Sequence, residues 1–250
     1  RRQKAVRSTT AMLAVGIGED GQREILGLEM ALSETEEGWR RFIRQLKERG
    51  LSGVELATSD AHAGLKKALQ EAFPVPTAVG KRCQSHFRRN VLDQTPSGYR
   101  DQMHKVLDRV LEAPSQEEAQ TQLDDCREKL EEEASSALRA LEDGFYDATA
   151  VLALPEKYRK RLRTTNMLER FIQEIRRREK VIRIFPNMDS AYRLVGALCA
   201  ESHEEWSTGR RYLNMDEYLE WRTDQSDGET LGEGASLNGE PAVQSAAVPA

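Results

Sequence analysis

The chain has 250 residues, of which 38% are apolar and 32% are charged, a balance typical of a water-soluble domain with its own core. No stretch approaches the ~20 consecutive apolar residues of a membrane helix, which excludes a membrane-spanning function. The cysteines, Cys83, Cys126 and Cys199, have no paired spacing, which excludes a disulfide-rich secreted domain and predicts a cytoplasmic protein.

The net charge of −5 hides a strong local asymmetry along the chain. Between residues 157 and 183 there are eleven Lys and Arg and three acids, whereas between residues 101 and 147 there are fourteen acids and five bases. A basic segment can bind phosphates locally whatever the charge elsewhere. The acidic total therefore does not exclude a nucleic-acid partner.

The chain opens with a predicted β-hairpin. Two strand-like segments, 11–17 and 23–30, flank the turn signal Asp20-Gly21. Ser33 and Glu36 have the spacing of a capping box, which predicts that a helix begins at Ser33. Short strands at 54–58 and 77–82 are each followed by a helical segment, at 61–73 and 83–92.

The second half is predicted to be helical. Residues 98–150 form an acidic helical block, and Pro186 separates two further helices at 165–180 and 190–208. Residues from 223 onward are rich in Gly, Ser, Ala and acids without periodicity, which predicts disorder. The element order predicts an α/β fold: a mixed sheet flanked by helices, with an all-α insertion.

Asp60 follows the strand at 54–58, at the end where ligands of open α/β sheets gather. A carboxylate at such a position can hold Mg²⁺ by its oxygens. Asp is also a common N-cap, and a helical segment begins at residue 61. The pattern leaves both interpretations open.

The basic helix around Glu169 is the second candidate. Its positive charge favours phosphate binding, although a solvated helix with an ordinary Glu174–Arg178 pair has the same pattern. Glu169 and Glu174 flank the apolar stripe of this helix symmetrically, so helical periodicity does not choose between them.

Cys83 and His86 form a Cys-x-x-His pair, the spacing of half a zinc site. No second close pair of ligands is found elsewhere in the sequence. The pattern therefore favours a cysteine and a histidine near a helix start that pack or contact phosphate.

These motifs, in this order, resemble the Mutator-like insertion-sequence transposases, and the similarity extends over nearly all of residues 1–221. The resemblance rests on the following blocks: Ile25-Leu26-Gly27; Ser59-Asp60-Ala61-His62-x-Gly64-Leu65; Arg82-Cys83-Gln84-x-His86-Phe87-x-Arg89-Asn90; Thr165-Asn166-x-x-Glu169-Arg170; Glu174-x-Arg176-Arg177-Arg178; and Ile184-Phe185-Pro186-Asn187 with Ser190. Each block is weak alone, and the spacing of the whole set makes it specific.

The resemblance implies a ribonuclease H-like fold with an α-helical insertion before the last acidic residue. It implies an Asp, Asp, Glu triad that binds Mg²⁺ or Mn²⁺, in which Asp60 is the second member and Glu169 the third. DNA, as transposon ends and target, is the implied partner, together with a further copy of the chain, in a nucleoid-associated cytoplasmic setting. The residues expected to contact DNA are Cys83, His86, Arg89, Arg163, Asn166, Arg170, Arg176, Arg177, Arg178 and Lys180.

The family's first Asp lies on a strand ahead of the one that opens this chain, and Asp20, in the hairpin turn, does not replace it. We therefore expect an N-terminally truncated fragment that is inactive alone. Its expected parts are 1–92 (catalytic domain, first part), 93–150 (insertion), 151–221 (second part) and 222–250 (acidic tail). The alternatives are a ribonuclease H-like nuclease that only hydrolyses, and a catalytically dead remnant that binds DNA.

Overall fold

The computed structural model describes residues 7–60, 62–73 and 78–230, without the side chains of 78–81 and 225–230. The chain divides into two compact units, Arg1–Leu213 and Asn214–Ala250. The strands are β1 (Thr10–Ile17), β2 (Arg23–Ala31), β3 (Leu56–Ser59) and β4 (Ala78–Arg82). The helices are α1 (Glu36–Glu48), α2 (Ala63–Ala72), α3 (Gln84–Asp93), α4 (Arg100–Leu111), α5 (Gln116–Leu130), α6 (Ser135–Thr149), α7 (Glu156–Leu162), α8 (Asn166–Ile182), α9 (Met188–Thr208) and α10 (Asp216–Thr230).

The predicted hairpin is confirmed, because β1 pairs with β2 in antiparallel register from Thr10–Ala31 to Ile17–Arg23. In the turn, Asp20 Oδ1 accepts the Gln22 N–H at 2.9 Å, and Gly21 adopts a positive φ of 78°. Such a backbone conformation favours glycine, which explains the Asp-Gly signal.

Helices cover the hairpin through two separate core clusters. One contains Met12 of β1 with Phe42 and Leu46 of α1. The other contains Phe171 of α8 with Val195 and Cys199 of α9, packed against apolar residues of both strands. Burying each such large apolar side chain stabilises the fold by about 1.5–3 kcal/mol. This packing positions the N-terminal half of α8 against the hairpin.

The strands β3 and β4 form a parallel pair, in register from Leu56–Ala78 to Ser59–Arg82. A parallel pair needs a crossover connection, and α2 provides it. Within the described residues, the two pairs are separate two-stranded sheets, one antiparallel and one parallel. The α/β class is therefore confirmed, whereas the single mixed sheet predicted from the sequence is not formed by hydrogen bonds among these strands.

The predicted helical block is present as α4, α5 and α6, with short 3-10 turns at Ser97–Tyr99 and Ala150–Ala153. Its helices pack on one another through fully buried side chains, including Met103, Leu107 and Leu141. The helix α6 also contacts α3 and β4, which connects the block to the strands.

The second unit contains α10. Residues 223–230, for which the sequence predicted disorder, form its last turns, and residues 231–250 lie outside the described part of the chain. None of the helices in that described part is long and apolar enough to cross a membrane.

Candidate metal and nucleic-acid site

The carboxyl ends of the parallel strands lie side by side. Ser59 pairs with Arg82 in the register, so Asp60 and Cys83 each follow directly after a strand end. The Cys83 N–H donates to the Ser59 carbonyl at 2.8 Å. The main chains that carry Asp60 and Cys83 are therefore held together at one edge of the sheet.

Asp60 is exposed, and within the described residues its carboxylate makes no hydrogen bond or ion pair. The N-cap of α2 is His62, whose Nδ1 accepts the Leu65 N–H at 3.2 Å. The N-cap interpretation of Asp60 is therefore wrong, since another side chain has that function. The Asp60 carboxylate is left available to a ligand.

The start of α8 is fixed to the same edge of the sheet by long-range hydrogen bonds. The Gln84 N–H donates to the Arg163 carbonyl at 2.9 Å, and Thr58 Oγ1 donates to the Leu162 carbonyl at 3.2 Å. The Thr165 N–H donates to Cys83 Sγ at 3.4 Å. The first turn of α8 therefore lies beside the ends of β3 and β4.

Glu169 lies one turn into α8 and points toward this edge. Its Oε1 accepts a hydrogen bond of 2.8 Å from Thr165 Oγ1 and lies 3.9 Å from His86 Nδ1. Its side chain is 39% exposed, which leaves room for a ligand.

Glu174 has a different environment from Glu169. It accepts hydrogen bonds from Arg177, at 2.7 Å to each carboxylate oxygen, and from Arg178 Nε at 2.8 Å. The bonds from Arg177 and then Arg178 lower the pKa of Glu174 to about 2. The ordinary helical pairing predicted for Glu174 is thus confirmed, and the symmetry between the two glutamates is removed by their surroundings.

The structure brings three of the predicted site residues together. Ligand atoms of Cys83, His86 and Glu169 all lie within 4.8 Å of one another. Asp60 follows Ser59, whose carbonyl accepts the Cys83 N–H, and the Asp60 carboxylate is not a member of this group.

The predicted DNA-contacting residues divide by exposure. Arg89, Asn166 and Arg170 are exposed, as are the four bases near the end of α8, Arg176, Arg177, Arg178 and Lys180. Arg163 is half-buried and pairs with Glu112 at 3.3 Å. Cys83 is 0% exposed, so its sulfur is not accessible to a phosphate at the surface, which argues against the DNA contact predicted for Cys83.

The amino-acid sequence also matches a known protein family over most of its length. The family model described as "Transposase, Mutator family" matches residues 1–209. The chain belongs to this family. Its match includes the strand ends, α3 and the helix of Glu169, and thus all the residues of the site.

Relatives of this Mutator-family chain are insertion-sequence transposases. It is 41% identical over 220 residues to the transposase for insertion sequence element ISRM5 of Rhizobium meliloti, covering 88% of this chain and 55% of that protein. It is 39% identical over 222 residues to the transposase for IS256 in transposon Tn4001 of Staphylococcus aureus, covering 86% and 55%. A third relative, the transposase for IS1081 of Mycobacterium tuberculosis, is 37% identical over 205 residues, covering 82% and 49%. The chain thus spans about half the length of these relatives.

Two residues of this Mutator-family site had no function assigned from the sequence. Thr165 contacts both Cys83 and Glu169, and Gln84, which is buried, donates through Nε2 to the Ala148 carbonyl at 2.9 Å. Both lie in the blocks that carry the resemblance. The sequence signal that could have identified them is their position: Gln84 adjoins Cys83, and Thr165 lies one helical turn before Glu169.

Proposed function

We propose that this chain carries the catalytic surface of a DNA transposase and supports cleavage and strand transfer of an insertion sequence by two-metal phosphoryl transfer. The observation that carries the proposal is the docking of Glu169, through Thr165, at the strand ends that Asp60 follows. The names of the relatives support insertion-sequence DNA as the substrate.

The side chains at this edge suit Mg²⁺ or Mn²⁺. The Asp60 carboxylate is exposed and has no partner among the described residues, and Glu169 accepts only one described hydrogen bond, at Oε1. Carboxylate oxygens are the ligands that these cations prefer, and Mg²⁺ commonly takes one or two of them together with phosphate oxygens and water. When bound, a pair of such ions would activate the attacking oxygen and stabilise the leaving oxygen.

The protein residues then have separate functions. Asp60 and Glu169 would hold the cations, together with the first acidic residue of the triad that the family resemblance implies. Thr165 orients Glu169 through its 2.8 Å hydrogen bond. The exposed bases Arg89, Arg170, Arg176 and Lys180 bind backbone phosphates, which positions DNA without reading its sequence.

The fold and the assembly complete the proposal. We propose the ribonuclease H-like arrangement, in which α4–α6 are the insertion between Asp60, which follows β3, and Glu169 on α8. An antiparallel hairpin, a parallel pair and helices on both faces of the hairpin are compatible with it. An insertion sequence has two ends to cut, so we include a homo-oligomer in the proposal. We also propose that it acts at the nucleoid.

The decisive experiment replaces the matching segment of the ISRM5 transposase by this chain and assays the chimera on a labelled transposon end with Mg²⁺ or Mn²⁺. Glu169→Gln should lower cleavage about 100-fold or more and leave DNA binding unchanged, because loss of an outer partner of a metal ligand alone costs 10–100-fold. Glu174→Gln is the matched control on the same helix and should retain cleavage.

Each alternative function predicts a different outcome. Cleavage that persists in the Glu169→Gln chimera would refute the assignment of Glu169. Hydrolysis without joining of the 3′-end to target DNA would identify a nuclease. DNA binding without cleavage in either metal would identify an inactive remnant.

A further inference from the structure

The group of Cys83, His86 and Glu169 includes a thiol and an imidazole, which a carboxylate site for Mg²⁺ does not require. A sulfur, an imidazole nitrogen and a carboxylate oxygen lie within 4.8 Å of one another, contributed by α8 and by the N-terminus of α3. Thiolate and imidazole are poor ligands for Mg²⁺ and good ligands for Zn²⁺ and related ions. The group therefore suits a different class of cation from the proposed Mg²⁺ site.

Local structure holds the two α3 ligands in place. Cys83 is the N-cap of α3, and His86 lies in its first turn, so both side chains are at the same helix end. The Cys83 N–H and the Gln84 N–H are bonded to Ser59 and Arg163, and the Gln84 side chain is bonded to Ala148. The group is thus preorganised by contacts with three other parts of the chain.

His86 Nδ1 is the unexplained atom of this group. It is buried and, among the residues that the structure describes, has no hydrogen-bond partner, although it lies 3.9 Å from Glu169 Oε1. A buried polar atom without a partner is uncommon, and a bound water or a bound ion is among its ordinary explanations. The neutral imidazole offers a lone pair for coordination at such a nitrogen.

The surrounding hydrogen bonds match those of metal ligands. The Thr165 N–H donates to Cys83 Sγ at 3.4 Å, and the Thr165 hydroxyl donates to Glu169 Oε1 at 2.8 Å. Partners of this kind orient the ligands of a metal site. Cys83 is 0% exposed, so its sulfur is shielded from the solvent.

We propose that Cys83 Sγ, His86 Nδ1 and a Glu169 oxygen form a binding site for Zn²⁺ or a similar thiophilic divalent cation. In a tetrahedral zinc site the ligand atoms lie roughly 3.5 Å apart, so side-chain adjustments of about 1 Å close the site around the ion. Three protein ligands leave a fourth position for water or a phosphate oxygen.

The site shares Glu169 with the proposed Mg²⁺ site. If the proposed function holds, a cation on Cys83 and His86 withdraws Glu169 from phosphoryl transfer, so that Zn²⁺ inhibits the transposase. Binding of the cation itself does not depend on the proposed function.

The test titrates the metal-free 250-residue chain with Co²⁺ in the absence of DNA. A thiolate-to-cobalt charge-transfer band should appear, and one equivalent of Zn²⁺ should abolish it while a large excess of Mg²⁺ should not. Cys83→Ser should remove the band. Cys126→Ser and Cys199→Ser are matched controls that should keep it, because both residues are buried free cysteines outside the group.

Two further variants test the other ligands and guard against misfolding of Cys83→Ser. His86→Ala and Glu169→Gln, at half-buried positions, should each weaken Co²⁺ binding at least 10-fold with the far-ultraviolet circular dichroism unchanged. A wild-type chain without the band, a band that persists in Cys83→Ser, or unchanged affinity in either of the other variants would overturn the proposal. Cobalt binding by a chain whose chimera does not cleave DNA would contradict the proposed function alone.

Discussion

The Thr165 hydroxyl donates a 2.8 Å hydrogen bond to Oε1 of Glu169, four residues later and one turn along α8. The same oxygen of Thr165 lies 3.3 Å from Cys83 Sγ, and the Thr165 N–H also donates to that sulfur. Thr165 therefore connects Glu169 of α8 to the N-terminus of α3. This makes Thr165 a positioning residue for the whole site.

Replacement of Thr165 by Val removes the hydroxyl and keeps the branched shape of the side chain. Glu169 then loses its described hydrogen-bond donor, so we expect cleavage by the chimeric transposase to fall 10–100-fold with unchanged DNA affinity. Thr165→Ser keeps the hydroxyl and should retain most of the cleavage activity. Full activity in Thr165→Val together with a loss in Thr165→Ser would show that the methyl group, and not the hydrogen bond, is what matters.

The close approach of α6 to α3 depends on Gly144. A Cβ at this position would lie 2.5 Å from Phe87 Cε2 and 2.7 Å from Arg82 Nη1, and the Phe87 ring is 0% exposed and cannot move freely. We expect Gly144→Ala to lower the free energy of unfolding by about 1–3 kcal/mol, which urea unfolding measures.

The control for Gly144→Ala is Gly196→Ala in α9, where a Cβ would meet no atom within 4 Å. Removing a glycine from a helix interior stabilises by about 0.5–1 kcal/mol, so this variant should be slightly more stable than the wild type. Equal effects of the two substitutions would contradict the packing described between α6 and α3.

Glu174 provides a prediction about pH. Its hydrogen bonds with Arg177 and Arg178 lower its pKa from 4.5 to about 2, so they stabilise the folded chain fully above pH 4.5. This contribution is lost as the pH falls through about 2. Carboxyl NMR shifts should show Glu174 still ionised at pH 3.

The Glu174 pKa should rise toward 4.5 in Arg177→Ala, because Arg177 is the largest cause of the shift. Arg176→Ala is the control, since within the described residues Arg176 makes no bond to Glu174. An Arg176→Ala variant that raises the pKa as much as Arg177→Ala would mean that the local field, and not the hydrogen bonds, sets it.

Local signals in the sequence predicted the elements better than the site. The Asp20-Gly21 turn predicted the hairpin because the turn requires a residue that tolerates positive φ. The capping box predicted that α1 begins at Ser33, and this was wrong. Thr35 is the N-cap, and its Oγ1 accepts the Gly38 N–H at 3.1 Å. Ser33 and Thr35 have similar capping chemistry, so the choice depends on where β2 ends and α1 packs.

The site was only partly predictable because it depends on contacts between distant segments. Asp60 was identified from its place after a strand, but the pattern could not show that His62 would cap α2. Periodicity left Glu169 and Glu174 equivalent, and only the family resemblance favoured Glu169. The contacts of Thr165 with Glu169 and with Cys83, 82 residues earlier, give Glu169 surroundings that Glu174 does not share. A sequence pattern read along one helix contains no information about such a contact.

The bases at the end of α8 give the last prediction, which concerns DNA affinity. Arg177 and Arg178 are bonded to Glu174, whereas Arg176 and Lys180 are exposed without an ion pair in the described part of the chain. Each phosphate contact contributes about −0.9 to the slope of log K against log salt. We therefore expect Arg176→Ala and Lys180→Ala each to reduce the magnitude of the slope by about 0.9, measured by fluorescence anisotropy with duplex DNA. Arg177→Ala should reduce the slope less, because the charge of Arg177 is already partly neutralised by Glu174.

The control for these variants is Arg44→Ala, at an exposed position on α1, which should leave the slope unchanged. A change as large as that of Arg176→Ala would mean that DNA binds through general surface charge instead of through α8.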